Sequence, residues 1–256
     1  MIGVCAALML FASVSDASND ASAAAARESL EEASWAFAYW QGQVEAVSPA
    51  FALPRAPKIS LRFKQRAHEP AGAMTLFAYA DPGAVTLELS GSGWERRTAH
   101  GETILARNAA HEVAHVLQYR HGEAHRAPRW LHEGFADALA HEVMADEGRA
   151  EGWGGGERCA RVLRRASVRS AQNGGDEAAL YDCGSLAIRA VADAREESVQ
   201  DLYAAFAENG LTEEAFLALA AEASPRFRRS VEAFLRTDYS LADPLWVLRE
   251  LRAGRL

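Results

Sequence analysis

The chain lacks any long basic stretch. Its 256 residues include 27 lysines and arginines against 35 aspartates and glutamates, which gives a net charge of -8. A nucleic-acid partner is therefore not expected, because binding one requires many phosphates to be neutralised. Five arginines do cluster in one predicted helix, where we interpret them as a solvated face rather than a binding patch. They are Arg158, Arg161, Arg164, Arg165 and Arg169.

Cysteine is scarce, with three in the whole chain. No Cys-x-x-Cys pair is present, so a cysteine-based zinc site is not expected. If an N-terminal signal is removed, Cys5 goes with it and Cys159 and Cys183 remain. That even pair is compatible with a disulfide in an oxidising compartment, and two free buried thiols are the alternative.

No stable membrane span is expected at the N-terminus. The apolar run from Ile2 to Val14 is too short to cross a bilayer comfortably, but it has the length of a signal-peptide core. Small residues suited to cleavage follow at 15–17 and 21–23, although no basic residue precedes the run. We expect residues 1–23 to be a signal peptide and the mature chain to be exported, to the periplasm or outside the cell. A buried or frayed N-terminal helix is the alternative.

What the chain does contain is the motif His111-Glu112-Val113-Ala114-His115. Residues four apart in a helix lie on one face, so both imidazoles can reach one metal ion. Glu112 lies beside that line, where a general base can take a proton from a water molecule at the metal. A catalytic zinc site still needs a third protein ligand and one open position.

The segment Trp130-Leu131-His132-Glu133-Gly134 offers that third ligand on a second predicted helix. Glu133 is the expected ligand. Asp137 follows one turn later and is placed to accept the second ring N–H of a ligand histidine. Gly134 has no side chain, so it would let the two metal helices approach closely.

These residues resemble the gluzincin class of zinc metallopeptidases, the thermolysin-like group, and particularly its small bacterial peptidase-MA-like members. Those proteins typically carry a Trp-Leu-x-Glu-Gly segment such as residues 130–134 here. The resemblance implies Zn²⁺ and peptide-bond hydrolysis, and it covers roughly residues 58–240, most strongly in the metal region. It implies ligand roles for His111, His115 and Glu133, a base role for Glu112, and a role for Asp137 as the hydrogen-bond partner of a ligand.

The resemblance also suggests a donor for the oxyanion. In many gluzincins a tyrosine or histidine from a later helix fills this role, and Tyr181-Asp182-Cys183-Gly184 resembles the family's Tyr-x-x-Gly helix. Tyr181 is therefore the candidate, and a core tyrosine with a bonded hydroxyl is the alternative. His132 points about 100° away from Glu133 around the helix, so we interpret it as a histidine that faces solvent or supports a ligand.

The remaining patterns predict an α+β fold. By resemblance it is zincin-like, with a small N-terminal sheet and an active-site helix followed by a mainly helical C-terminal lobe. One domain is expected over 24–256, with lobes at 24–95 and 96–256. Strands are expected at 58–63, 74–79 and 85–89, with a turn at 81–83. Helices are expected at 24–47, at 103–121 and from about 128 onward. Further helices are expected from 176 through 190 and at 202–208, 212–222 and 227–235.

Two loops and one strand carry further expectations. Residues 153–156 and 172–175 are expected to be flexible breaks around the basic helix, and no Gly-Lys-Ser/Thr follows them to form a phosphate loop. In gluzincins an edge strand just before the metal helix pairs with the substrate backbone. Residues 85–90 are expected to do so here, and an internal strand is the alternative.

Two function classes follow. The first is an exported zinc endopeptidase or aminopeptidase that acts on a peptide or protein substrate. The alternative is an exported zinc-stabilised binding or assembly module without turnover. Glu112 favours the enzyme, because a purely structural zinc site has no use for a base. A different metal-assisted hydrolysis on the same scaffold is a third possibility.

Overall fold

The computed structural model describes residues 33–64, 70–122, 126–146, 148 and 155–256. The fold is mixed α+β, with helices predominating over a three-stranded sheet. The expected signal peptide and the first part of the expected N-terminal helix lie outside the described residues. Among the helices in the described ranges, none has the length and apolar character needed to cross a membrane.

The sheet is formed by the three predicted strands. They are β1 (Lys58–Phe63), β2 (Thr75–Asp81) and β3 (Ala84–Ser90). β2 and β3 form an antiparallel hairpin whose turn contains Gly83 at φ +78°, a conformation that favours glycine. β1 pairs parallel to β3, from Lys58 opposite Ala84 to Phe63 opposite Leu89.

The expectation that residues 85–90 form an edge strand is wrong. The strand order is β1-β3-β2, so β3 lies in the centre and β2 at an edge. The hairpin turn sends β3 back along β2, and the parallel pairing with β1 then occupies its other side. β3 is accordingly buried from Val85 to Ser90, as expected for a strand that is covered on both faces.

The N-terminal helix α1 (Ser34–Val47) packs its aromatic side chains against the first metal helix, α2 (Ala99–Arg120). Trp40 is fully buried and its indole N–H donates to the Asn108 side chain at 3.3 Å. The indole N–H of Trp35 donates to the carbonyl oxygen of Trp94 at 2.5 Å. Trp94 lies in the 3-10 turn Ser92–Glu95 that joins the sheet to α2. These contacts attach the sheet lobe to the helix that carries the histidines.

The two metal helices form close to where they were predicted. α2 begins earlier than expected because the Thr98 side chain accepts a hydrogen bond from the Gly101 N–H at 3.0 Å, which caps the helix. It ends at Arg120, just before Gly122 at φ +117°. The second metal helix, α3 (Arg129–Asp146), starts directly after Pro128.

The C-terminal lobe is helical, as predicted. It comprises α4 (Gly155–Leu163), α5 (Val168–Asn173), a π-helical turn (Ala179–Cys183), α6 (Gly184–Arg195), α7 (Val199–Glu208), α8 (Glu213–Ala223), α9 (Pro225–Arg236) and α10 (Pro244–Arg252). Thr212 caps α8 by accepting from the Ala215 N–H at 3.1 Å. Three details differ from expectation. Residues 155 and 156, expected in a flexible break, open α4, residues 172 and 173, also expected in a break, end α5, and α10 was not predicted.

A disulfide bond joins Cys159 of α4 to Cys183 of the π-helical turn. This confirms the pairing that the cysteine count made plausible. Both cysteines are fully buried. The bond closes a loop across 24 residues and holds α4 against the turn that also carries Tyr181 and Asp182.

Candidate metal centre

Three side chains converge between α2 and α3. The Nε2 atoms of His111 and His115 are 3.0 Å apart, and one carboxylate oxygen of Glu133 lies 3.5 Å and 3.4 Å from them. Both histidines are buried, and Glu133 is partly buried. The helical spacing of the histidines and the early position of Glu133 in α3 therefore produce one compact group of potential metal ligands.

The size of this triangle fits a small metal ion. A tetrahedral ion with nitrogen and oxygen ligands at about 2.1 Å separates its ligand atoms by roughly 3.4 Å. The three observed separations lie near that value. Two histidines and one carboxylate also leave a fourth position for water or substrate, so the donor set suits a catalytic ion better than a purely structural one.

The charges around the triangle favour a cation. Burial alone would lower the pKa of His111, but its hydrogen bonds to Asp137 and Glu133 outweigh burial and raise that pKa to about 10. Burial would likewise raise the pKa of Glu133, yet the hydrogen bonds of its carboxylate to both histidines hold that pKa far below its usual range. Positive charge is thus stabilised at this position, and a metal ion can replace the proton that supplies it.

Each histidine is oriented by a partner on its other ring nitrogen. An oxygen of Asp137 lies 3.5 Å from Nδ1 of His111, on the side away from the triangle. The Gln118 side-chain oxygen lies 2.8 Å from Nδ1 of His115. The Gln118 amide nitrogen donates to the backbone oxygen of His132 at 2.9 Å, which fixes the orientation of the amide. Nδ1 of His115 must then carry the proton, and its Nε2 presents a lone pair to the site.

Glu112 lies beside this group and is buried. Burial raises the pKa of its carboxyl group, against the opposing effect of the two histidines. Its Oε2 atom has no hydrogen-bond partner among the described residues. A buried carboxylate with a free oxygen and a raised pKa next to a metal position has the properties that a general base needs.

The structure also brings Tyr181 to the site. Its ring centre lies 5.5 Å from that of His111, and Glu133 and Arg129 lie close enough to its hydroxyl to act on its pKa in opposite directions. Burial, followed by the charge of Glu133, raises the pKa of Tyr181, so the hydroxyl keeps its proton at neutral pH. Tyr181 is therefore a neutral donor beside the metal ligands.

The expected role of Gly134 needs correction. A Cβ atom at Gly134 would lie 2.9 Å from the backbone of Gly184 and 3.0 Å from Ile188. The glycine therefore permits close contact between α3 and the start of α6, and not between the two metal helices. Because Gly184 follows the π-helical turn directly, this contact helps to place Tyr181 over the ligands.

A chain of ion pairs extends from the site toward the disulfide. Arg107 donates to both oxygens of Asp137, at 3.2 Å and 3.0 Å, and lies 3.8 Å from Asp182. The other oxygen of Asp182 lies 3.1 Å from Arg158. Burial raises the pKa of Asp182 to about 6 despite these arginines. The prediction of one basic helix is wrong, because Arg158 lies on α4 and Arg169 on α5. Arg158 pairs with the buried Asp182 and Arg169 with Glu213 at 2.5 Å, so these arginines do not form one solvated face.

The ligands lie beside a cleft with a volume of about 520 Å³. One wall is largely apolar and consists of Leu76, Phe77, Ala78 and Ile104. The charged part of the lining, which we call the basic wall, consists of Arg107, Arg129, Arg158 and Tyr181, and His111 and Glu112 also line the cleft. The edge strand that borders the site is therefore β2, which supplies three residues of the apolar wall.

Comparison with family models, with curated proteins and with solved structures gives no match for this chain.

Sequence reasoning missed Gln118, Arg107 and Arg129. Gln118 and Arg107 had a usable signal, because Gln118 is three residues after His115 and Arg107 is four before His111, both helical neighbours of a ligand. The spacing of Arg129 was also a usable signal. It lies four residues before Glu133, so Arg129, Glu133 and Asp137 share one face of α3. Asp182 had none, because its contacts depend on the packing of the π-helical turn against α4 and α3.

Proposed function

We propose that this chain is a zinc-dependent peptidase of the gluzincin type, with a zincin-like arrangement of its sheet and metal helices. The observation that carries the proposal is the triangle of His111, His115 and Glu133 with the unpartnered carboxylate oxygen of Glu112 beside it. A donor set of two histidines and one glutamate, with a base next to it, matches the requirements of zinc-assisted hydrolysis.

When bound, zinc supplies Lewis acidity that polarises the peptide carbonyl and makes a water molecule more acidic. Glu112 accepts the proton of the attacking water through its free oxygen and delivers it to the departing amine. Its raised pKa suits both steps, because the group must bind and release a proton near neutral pH.

Tyr181 acts on the carbonyl oxygen of the scissile bond. Its hydroxyl retains its proton and lies next to Glu133, so it can donate a hydrogen bond to the negative charge that develops during attack. Arg129 lies near this hydroxyl and lowers its pKa, against the larger effects of burial and Glu133. Asp137 and Gln118 keep the two imidazole rings in orientation and leave both Nε2 atoms available.

The substrate backbone runs along β2. This strand pairs with β3 on one side only among the described strands and lines the cleft through residues 76–78. Main-chain hydrogen bonds to an edge strand bind an extended peptide with little demand on its sequence. In this proposal β2 takes the role that residues 85–90 were expected to play.

The test compares the parent protein with Glu112→Gln. Both proteins should bind close to one equivalent of zinc, measured by mass spectrometry of the metal content. The parent should hydrolyse an unstructured protein, and the variant should lose at least about a thousandfold in kcat, because only the base is removed. Zinc binding without hydrolysis by the parent would favour the binding or assembly module, and a protein that binds no zinc would overturn the site.

A further inference from the structure

The basic wall of the cleft contains one arginine whose charge is not balanced by an acid. Arg107 is paired with Asp137, and Arg158 is paired with Asp182. Arg129 is exposed and lines the cleft together with Tyr181. Within the part of the chain that the structure describes, no carboxylate lies within ion-pair distance of it.

The acids that line the same cleft do not cancel this charge. Asp137 is already shared between Arg107 and His111. Glu112 lies with the metal ligands and is buried, and Glu177 is exposed on the cleft lining. A chain with a net charge of -8 therefore presents three arginines on one wall of its cleft, and one of them lacks a counter-ion.

The position of Arg129 places it close to the reacting bond. It lies one helical turn before Glu133 on the same face of α3, and it lines the same cleft as His111 and Glu112. A substrate group that contacts the guanidinium is thus only a short distance from the metal ligands. A guanidinium in a partly enclosed cleft binds a carboxylate best, because two parallel N–H donors match its two oxygens.

We propose that Arg129 selects substrates that carry a carboxylate next to the scissile bond. This inference rests on the proposed peptidase function and adds the substrate class. The carboxylate has two sources, an aspartate or glutamate side chain within a peptide or the free C-terminus of a short one. The apolar wall formed by residues 76–78 and Ile104 then receives the uncharged part of the substrate.

The first experiment measures binding, so that it does not depend on turnover. Zinc-loaded Glu112→Gln is mixed with a library of unstructured hexapeptides in which aspartate or glutamate is matched against asparagine or glutamine, each with a free or an amidated C-terminus. Bound peptides are identified by mass spectrometry. Carboxylate peptides should be enriched at least about tenfold over their amides. Enrichment of peptides with acidic side chains over their amides identifies an internal aspartate or glutamate as the recognised group. Enrichment of peptides with a free over an amidated C-terminus identifies the terminal carboxylate.

The matched variants are Arg129→Gln and Arg165→Gln, each combined with Glu112→Gln. They remove the same charge, but Arg165 is exposed and is not a lining residue of the cleft. Enrichment should disappear in the Arg129 variant and persist in the Arg165 variant. Equal binding of acidic and amide peptides by zinc-loaded Glu112→Gln with Arg129 intact would overturn the proposal, even if the parent protein is an active peptidase.

A kinetic experiment distinguishes substrate selection by Arg129 from a role of Arg129 in positioning Tyr181 alone. If Arg129 only held the tyrosine, Arg129→Gln in the active protein would lower kcat equally for acidic and amide peptides. Under the proposal, the ratio of kcat/KM between the two substrate types falls about tenfold, mainly through KM for the acidic one. A uniform loss across both types would refute selection and leave Arg129 as a positioning residue for Tyr181.

Discussion

The floor and the basic wall of the cleft are built in different ways. By the floor we mean the group of potential metal ligands beside the cleft, with Glu112 next to them, and two neighbouring helices place this group by regular helical spacing. Two residues of the basic wall, Tyr181 and Arg158, come from the π-helical turn and from α4, which a disulfide joins. Local geometry therefore suffices to assemble the potential metal ligands, whereas the positions of Tyr181 and Arg158 depend on contacts between distant segments.

Removing the disulfide should separate these two regions most clearly. We expect Cys159→Ser with Cys183→Ser to lower the free energy of unfolding by about 3 kcal/mol, because a closed loop of this length restrains the unfolded chain. The activity should fall as Tyr181 loses its fixed position, but zinc affinity should change little. Urea unfolding and titration with a zinc indicator measure the two effects. A large loss of zinc affinity in a folded double variant would mean that floor and wall are not independent.

Changes to the partners of the two histidines should perturb the floor. Gln118→Leu removes the acceptor for Nδ1 of His115, and Asp137→Asn removes the charged partner of His111. We expect each to weaken zinc binding by about 10- to 100-fold, or about 1.4–2.7 kcal/mol, because the rings lose orientation and basicity. Competition with a chelator of known affinity measures the loss.

Gln118→Glu provides the conservative comparison. It keeps an oxygen for His115 but cannot donate to the backbone oxygen of His132, so it should recover part of the zinc affinity. The absorption spectrum of the Co²⁺-substituted protein should differ between the leucine and glutamate variants. If both bind zinc as tightly as the parent, Gln118 has only a packing role.

The smallest expected effect lies away from the cleft, at the end of α3. Burial, followed by the charge of Arg189, lowers the pKa of His141 to about 4, whereas an unfolded chain keeps it near 6.5. Between those values the unfolded state binds more protons, so stability rises with pH across this window and falls as the pH drops from 6.5 to 4.

His141→Gln should remove this dependence. The parent should lose about 1–2 kcal/mol more than the variant between pH 6.5 and 4.5, since one partly buried histidine is involved. Urea unfolding in the presence of a chelator excludes any contribution from metal release. Parallel stability curves for the two proteins would show that His141 titrates normally in the fold.

Much of the floor was predictable from the sequence. The spacing of His111 and His115 and the start of α3 after Pro128 are local features, and a helix converts them directly into a shared face. The strands were also predictable from their alternation and from the turn at Gly83. The strand at the edge of the sheet was not predictable, because the strand order depends on which side of the β2–β3 hairpin pairs with β1.

By itself, the sequence determined the metal-ligand motif, the acid that stands beside it, and the cysteine pair available for a disulfide, because each follows from residue type and short spacing. Only the tertiary structure decided that β2 borders the cleft, that Gly134 packs against Gly184, and that Arg129 meets Tyr181. Those contacts join segments 50 or so residues apart in the chain, and their geometry arises from helix packing, which no local pattern encodes.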